Sequence, residues 1–178
     1  MVNILINFMN KGKIIAVYRH DQDRFTVGYI CKIMCDELIM INIGIHGEFD
    51  GYSVIQIKDI SRVESDSLYL NRIEIISNVS AENVDFEDAG FEESDNAFYD
   101  ILRYAEKNKF MAAVLLENSE LEIRGYVKCI SETIITVTQI NEYGIYDGET
   151  VFFTNNISKA VVNDTECALI DRIAKTNK

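Results

Sequence analysis

"HGEFDG" at residues 46–51 and "YGIYDG" at residues 143–148 share the pattern Gly-x-aromatic-Asp-Gly and stand 97 positions apart. A run rich in Ile, Val and Thr leads into each copy, and a second β-branched run leaves it. Strand-forming runs on either side of an Asp-Gly pair read as a hairpin. Three roles fit the repeated pattern: a cation or phosphate loop, a catalytic pair of aspartates, or the turn of a structural unit built twice.

The offset is not confined to the two hairpins. Residues 4–76 laid over 101–173 without gaps give 16 identities in 73 pairs, against roughly five expected from average residue usage. The identities fall on glycines (Gly28/Gly125, Gly47/Gly144, Gly51/Gly148) and on apolar positions such as Val17/Val114, Val54/Val151 and Ile73/Ile170. Backbones and cores require such residues, so the pattern points to a duplicated structural unit rather than two copies of one catalytic site.

Periodicity predicts the same order of elements in each copy. A helix over 3–9 or 96–107 comes first, the second capped by Ser94 or Asp95 and carrying Phe98, Ile101, Leu102 and Ala105 on one face. Strands follow over "GKIIAVYR" or "FMAAVLLE", then "RFTVGYICKI" or "LEIRGYVKCI", where Gly28 and Gly125 mark a bulge or sharp bend. A third strand, "LIMINIG" or "IITVTQI", enters the Asp-Gly turn and a fourth, "YSVIQI" or "TVFF", leaves it. One-turn links "KDIS" and "NNIS" lead to short fifth strands "RVES" and "KAVV", and helices over 67–76 and 165–175 close the copies, the latter capped by Asp164. The predicted organisation is a first repeat over 1–78, an acidic connector over 79–94 and a second repeat over 95–178.

A helix followed by five short, bent antiparallel strands resembles the Sm-like and SH3-like small β-barrel domains, here duplicated in tandem. The resemblance implies a mostly β, α+β fold in which closure removes exposed strand edges. It also implies RNA binding as one function to weigh. RNA-binding Sm-like proteins carry Asp-x-x-Met-Asn in the third strand and Arg-Gly or Lys-Gly in the following loop. Here "DELIMIN" holds Asp36 and Asn42 at a different spacing, and neither "KDIS" nor "NNIS" contains Arg-Gly.

Composition narrows the functional classes. The chain of 178 residues is 48% hydrophobic, has no run near the roughly 18 apolar residues of a membrane span, and opens on "MVNILINFMN", which lacks the basic start and cleavage site of a secretion signal. A cytoplasmic protein without a membrane span is expected. The four cysteines, Cys31, Cys35, Cys129 and Cys167, form no Cys-x-x-Cys pair, and neither His20 nor His46 lies beside one, so no zinc site is indicated. Cys31 and Cys35, placed in one strand, would stand ~13 Å apart, too far for a disulfide. Reduced, mostly buried thiols are expected.

A metal in the hairpin requires several oxygen ligands. The first copy offers Glu48 and Asp50, the second only Asp147, because Ile145 replaces Glu48. Turn chemistry is the better reading, and no metal or cofactor is expected. No Gly-x-Ser-x-Gly and no Gly-rich phosphate loop occurs, and His20 and His46 correspond to Glu117 and Tyr143 in the other copy, so no enzyme is expected. The aromatics His46, Phe49, Tyr143 and Tyr146 at the hairpins either fold back on the protein or contact a partner.

Seven acids and no base lie in "ENVDFEDAGFEESD" (82–95), out of a formal net charge of −12. Such a segment is a solvated linker or a docking element. In the second reading Glu82, Asp85, Phe86, Glu87, Asp88, Phe91, Glu92 and Glu93 bind a partner, imitating phosphates before a basic channel. The expected function is a non-enzymatic intracellular protein-interaction module, an acidic inhibitor or immunity-type regulator of a partner with a basic surface. Nucleic acid is the less favoured partner, and an Sm-like RNA binder is the alternative. The duplication suits a monomeric pseudo-dimer or a homodimer.

Overall fold

The computed structural model describes residues 1–20, 25–80, 91, 94–117, 119–131 and 133–177. Among them the chain is mostly β, with ten strands and four α-helices. It divides into two compact units, one of Met1–Gly51 with Ile55–Ala89 and one of Tyr52–Val54 with Gly90–Lys178.

The first unit runs α1 (Val2–Asn10), β1 (Ile15–Arg19), β2 (Phe25–Ile33), β3 (Glu37–Ile43), β4 (Phe49–Gln56), a single 3-10 turn, β5 (Ile60–Ser65) and α2 (Leu68–Ser80). Its strands lie in the order β5-β1-β2-β3-β4. The second runs α3 (Ala97–Asn108), β6 (Met111–Leu116), β7 (Glu122–Ile130), β8 (Ile134–Ile140), β9 (Tyr146–Phe153), a 3-10 turn, β10 (Ile157–Val162) and α4 (Thr165–Thr176). Its order is β10-β6-β7-β8-β9, and the segment Tyr52–Val54 adds to the outer edge of β10, with Ala160 opposite Val54 and Val162 opposite Tyr52.

From β2 and β7 onward, strand limits and 3-10 turns recur at the offset of 97. So do finer features. The ladder skips one residue between Ile30 and Lys32, and again between Val127 and Cys129. Gly28 and Gly125 are paired in register, so the bulge lies beyond them. Their role is close approach: a Cβ on Gly28 would stand 1.8 Å from the Ile41 carbonyl oxygen, and one on Gly125 would stand 2.0 Å from that of Thr138.

Alternation places the apolar residues inward. Leu5 of α1 joins Ile15, Val17, Ile30, Leu38, Met40, Ile55 and Ile60 in the core of the first unit. In the second, α3 buries Phe98, Ile101, Leu102 and Ala105, the face predicted from helical spacing, against β7 and β10. Each large side chain so buried is worth about 1.5–3 kcal/mol. The helix starts at Asn96 rather than Ser94 or Asp95: the Asn96 side chain accepts the Tyr99 N–H at 2.8 Å, while the Ser94 hydroxyl accepts the Asn96 N–H at 3.1 Å. Asp164 caps α4 as predicted, accepting the Cys167 N–H at 2.8 Å. With no glycine or proline to stop it, α2 runs to Ser80, past the predicted end at 76.

Three expectations are corrected. The sheet does not close: β5 and β9 each lie at an end of the strand order. The strand partners explain this, since β10, which would have to return to β9, has β6 on one side and Tyr52–Val54 on the other. The Asp-Gly pairs are not the turns. Chain reversal occupies 44–48 and 141–145, fastened by Gly44 N–H to Glu48 O at 2.8 Å and Asn141 N–H to Ile145 O at 2.9 Å. Asp147 and Gly148 instead face the single residue Gln139 as a bulge within β9, with Gly148 at φ 97°. The cysteines are free, as anticipated, but Cys167 alone is buried; Cys31 is half-buried, and Cys35 and Cys129 are exposed. Cys35 lies past the end of β2, because the strand stops at Ile33.

Candidate functional site

The hairpin tips are rigid because each sits on the helix that closes its copy. A Cβ on Gly47 would lie 2.6 Å from the Ser77 backbone nitrogen in α2, and one on Gly144 would lie 2.6 Å from the Ala174 nitrogen in α4. Both glycines adopt left-handed φ, 80° and 73°. In the second unit the Asn141 side chain also accepts the N–H groups of Tyr143 at 3.1 Å and Ile145 at 3.0 Å, while Asn177 Nδ2 donates to the Tyr143 carbonyl at 2.9 Å. Tyr143, Ile145 and Tyr146 are 66%, 55% and 62% exposed.

The first tip differs. His46 is exposed and its N–H donates to a Glu48 carboxylate oxygen at 2.9 Å, while Phe49 is half-buried. The tips therefore share a backbone and each exposes one isoleucine and one glutamate, Ile45 and Glu48 in the first and Ile145 and Glu142 in the second; what the second adds is the exposed rings of Tyr143 and Tyr146.

Of the connector, Phe91 is described; Glu82, Asp85, Phe86, Glu87, Asp88, Glu92 and Glu93 lie outside the described residues. The Phe91 ring stands edge-on to Tyr52 and Tyr104, with ring centroids 5.2 Å and 4.9 Å away. It is thus held against the second unit, where aromatic pairs add about 0.5–1.5 kcal/mol beyond burial.

A cavity of about 610 Å³ in the second unit is lined by Lys109, Phe110, Tyr126, Cys167, Asp171 and Lys175, among others. Tyr126 donates its hydroxyl to Asp171, and Lys175 Nζ donates to the same carboxylate at 2.6 Å. The equivalent position 97 residues earlier differs in chemistry: Tyr29 bonds Ser77, with Glu74 nearby. Residues 126 and 171 are too distant in sequence to be linked by any local pattern, so sequence reasoning missed this cluster.

Burial, followed by the Asp171 hydrogen bond and charge, pushes the Tyr126 phenol well above its ordinary 10.0. Burial, followed by the Asp164 charge, pushes the Cys167 thiol well above 9.0. The cavity therefore presents a neutral phenol and a neutral thiol at physiological pH, neither a base nor an activated nucleophile. A raised folded-state pKa contributes stability that is complete below the unfolded pKa and is lost as pH rises toward the folded one. The second unit is accordingly expected to lose stability from about pH 9.0 upward, with the tyrosine's share going above 10.0. Thermal melts of Tyr126→Phe and Cys167→Ala between neutral pH and pH 11 should each show a shallower alkaline decline than the parent chain.

Among the described residues, strand β9 is open along one edge. Its counterpart β4 buries Val54 completely, whereas the equivalent Val151 is 63% exposed, with Tyr146 and Phe153 also exposed. Charge or a bulge usually blunts an edge; β9 has Asp147, Glu149 and the Asp147–Gly148 bulge toward its start, and the exposed Val151 and Phe153 toward its end. Among the described residues no group of three or more His, Cys, Asp or Glu is placed to hold a metal ion, and no helix is long and apolar enough to cross a membrane. Comparison with family models, with curated proteins and with solved structures returned no match.

Proposed function

We propose that this chain is a non-enzymatic protein-interaction module that acts inside the cell, built as a tandem duplication of a small-barrel-like unit. It recognises a partner with a basic surface, as an acidic inhibitor or an immunity-type regulator would. The observation that carries the reading is the second hairpin tip: Tyr143, Ile145 and Tyr146 stand exposed on a backbone tied to Asn141, Asn177 and α4. A rigid aromatic cluster loses little conformational freedom on binding, which is why such residues dominate interface hot spots.

Charge supports the choice of partner. A formal net charge of −12 steers encounter with a positive surface and disfavours phosphate backbones. Four free cysteines suit a reducing compartment.

Affinity capture from native lysate, compared between the parent chain and Tyr143→Ala/Tyr146→Ala, tests the reading. The parent should retain a stoichiometric protein whose binding weakens with salt. The double variant should bind it at least about 30-fold more weakly, the loss of one hot spot of about 2 kcal/mol. Capture unaffected by the double substitution would remove the tip from the interface. Purified protein carrying nucleic acid, seen as a raised 260/280 absorbance ratio, would favour the Sm-like RNA-binding reading instead.

A further inference from the structure

We propose that the chain binds a second copy of itself head to tail, with β9 of one copy pairing antiparallel with β5 of the next. Within the second unit, β10 takes Tyr52–Val54 of β4 onto its outer edge, with Ala160 opposite Val54, Val161 opposite Ser53 and Val162 opposite Tyr52. β10 is the repeat counterpart of β5, and β4 is the counterpart of β9. The chain therefore contains one fourth-strand to fifth-strand junction made, and the two halves of another left open at the ends of the strand order.

Shifting the observed register by the repeat offset gives the intermolecular one: Val63 opposite Val151, Glu64 opposite Thr150 and Ser65 opposite Glu149. Val54, which pairs with Ala160 in the existing junction, corresponds to the residue that the new junction would cover. Val54 is fully buried, and its counterpart Val151, the same residue type at the same place in the repeat, is 63% exposed. A second copy is the fitting occupant because the complementary edge, β5, belongs to this same sequence and, among the described residues, has no strand on its outer side. The contact is heterologous, so each copy offers one donor edge and one acceptor edge. It uses the centre of β9 and not the tip, and so does not depend on the proposed hetero-partner.

Sedimentation of the purified 178-residue chain across a concentration series, together with edge variants, tests this. Val151→Lys/Phe153→Lys blocks β9 at exposed positions, and Val63→Lys blocks β5. Because Val63 packs on the first core, Ser65→Glu, which sets like charges opposite Glu149, serves as the second β5 variant if circular dichroism shows Val63→Lys unfolded. The parent should sediment as multiples of 20.3 kDa that grow with concentration, and each variant alone as a single chain. Mixing a β9-blocked with a β5-blocked variant should restore one-to-one dimers and nothing larger, since one intact edge of each kind remains. A parent that stays a single chain at every concentration overturns the proposal. So does a β9-blocked variant that still self-associates, or a mixture that stays monomeric while both variants are folded.

Discussion

Gly125→Ala is expected to destabilise the second unit by about 4 kcal/mol or more, the range reached by few single substitutions. The new methyl carbon would lie 2.0 Å from the Thr138 carbonyl oxygen, 2.8 Å from its carbon and 2.9 Å from Gln139 Cα. All three atoms are backbone, so no side chain can swing away. Relief requires β7 and β8 to separate where Gly125 pairs with Gln139, and each ladder bond lost there costs about 1 kcal/mol. Urea denaturation followed by circular dichroism measures the change. A midpoint within the error of the parent chain would show that the two strands do not approach as described. Gly28→Ala should act in the same way on the first unit, where the contact with Ile41 is closer still at 1.8 Å.

The second large effect separates two glycines of one hairpin. Gly144 and Gly148 both have left-handed φ, 73° and 97°, so alanine at either brings strain of about 1–2 kcal/mol. At Gly148 nothing else lies within 4 Å of the added carbon, whereas at Gly144 it would meet the Ala174 nitrogen at 2.6 Å and Ile173 Cγ2 at 2.8 Å. Gly144→Ala should therefore cost about 3 kcal/mol or more and Gly148→Ala about half that, as read from denaturant midpoints. Asparagine tolerates left-handed φ, so Gly148→Asn should recover part of the loss while Gly144→Asn should not. Equal penalties for the two alanines would mean that the tip is not seated on α4.

These glycines also show what was legible in advance. Their recurrence at a fixed offset exposed the duplicated order of elements, because close backbone approaches tolerate no other residue and so leave a mark in composition. Period-two alternation placed the strands within a few residues, and the face of α3 was readable from Phe98, Ile101, Leu102 and Ala105. The turns were not. Asp-Gly serves a tight reversal and a bulge equally well, and the choice between them is made by Ser77 and Ala174, some 30 residues downstream of the tips. Ser94 and Asp95 are both cap-forming residues, but the cap is the next one, Asn96, which Ser94 supports by a hydrogen bond. Closure of each sheet was expected from short bent strands, yet strand partners are chosen by long-range pairing, and Tyr52–Val54 pairs with β10 at a sequence distance no local pattern spans. The Tyr126–Asp171 contact, 45 residues apart, escaped for the same reason. The candidate tip residues were identifiable as aromatics, but alternation did not distinguish the half-buried Phe49 from the exposed His46, Tyr143 and Tyr146.

The seating of each hairpin on its closing helix also sets an order of assembly. Synthesis proceeds from the N-terminus, so residues 141–145 leave the ribosome before Ile173 and Ala174, on which Gly144 rests. A nascent second unit must hold its tip unsupported until α4 has emerged and coiled. The first unit meets the same wait earlier, at Ile76 and Ser77, and completes it before most of the second is made. Translation thus staggers two identical closing steps, and the interval in which an unseated tip is open to proteases falls once for each half rather than for both together.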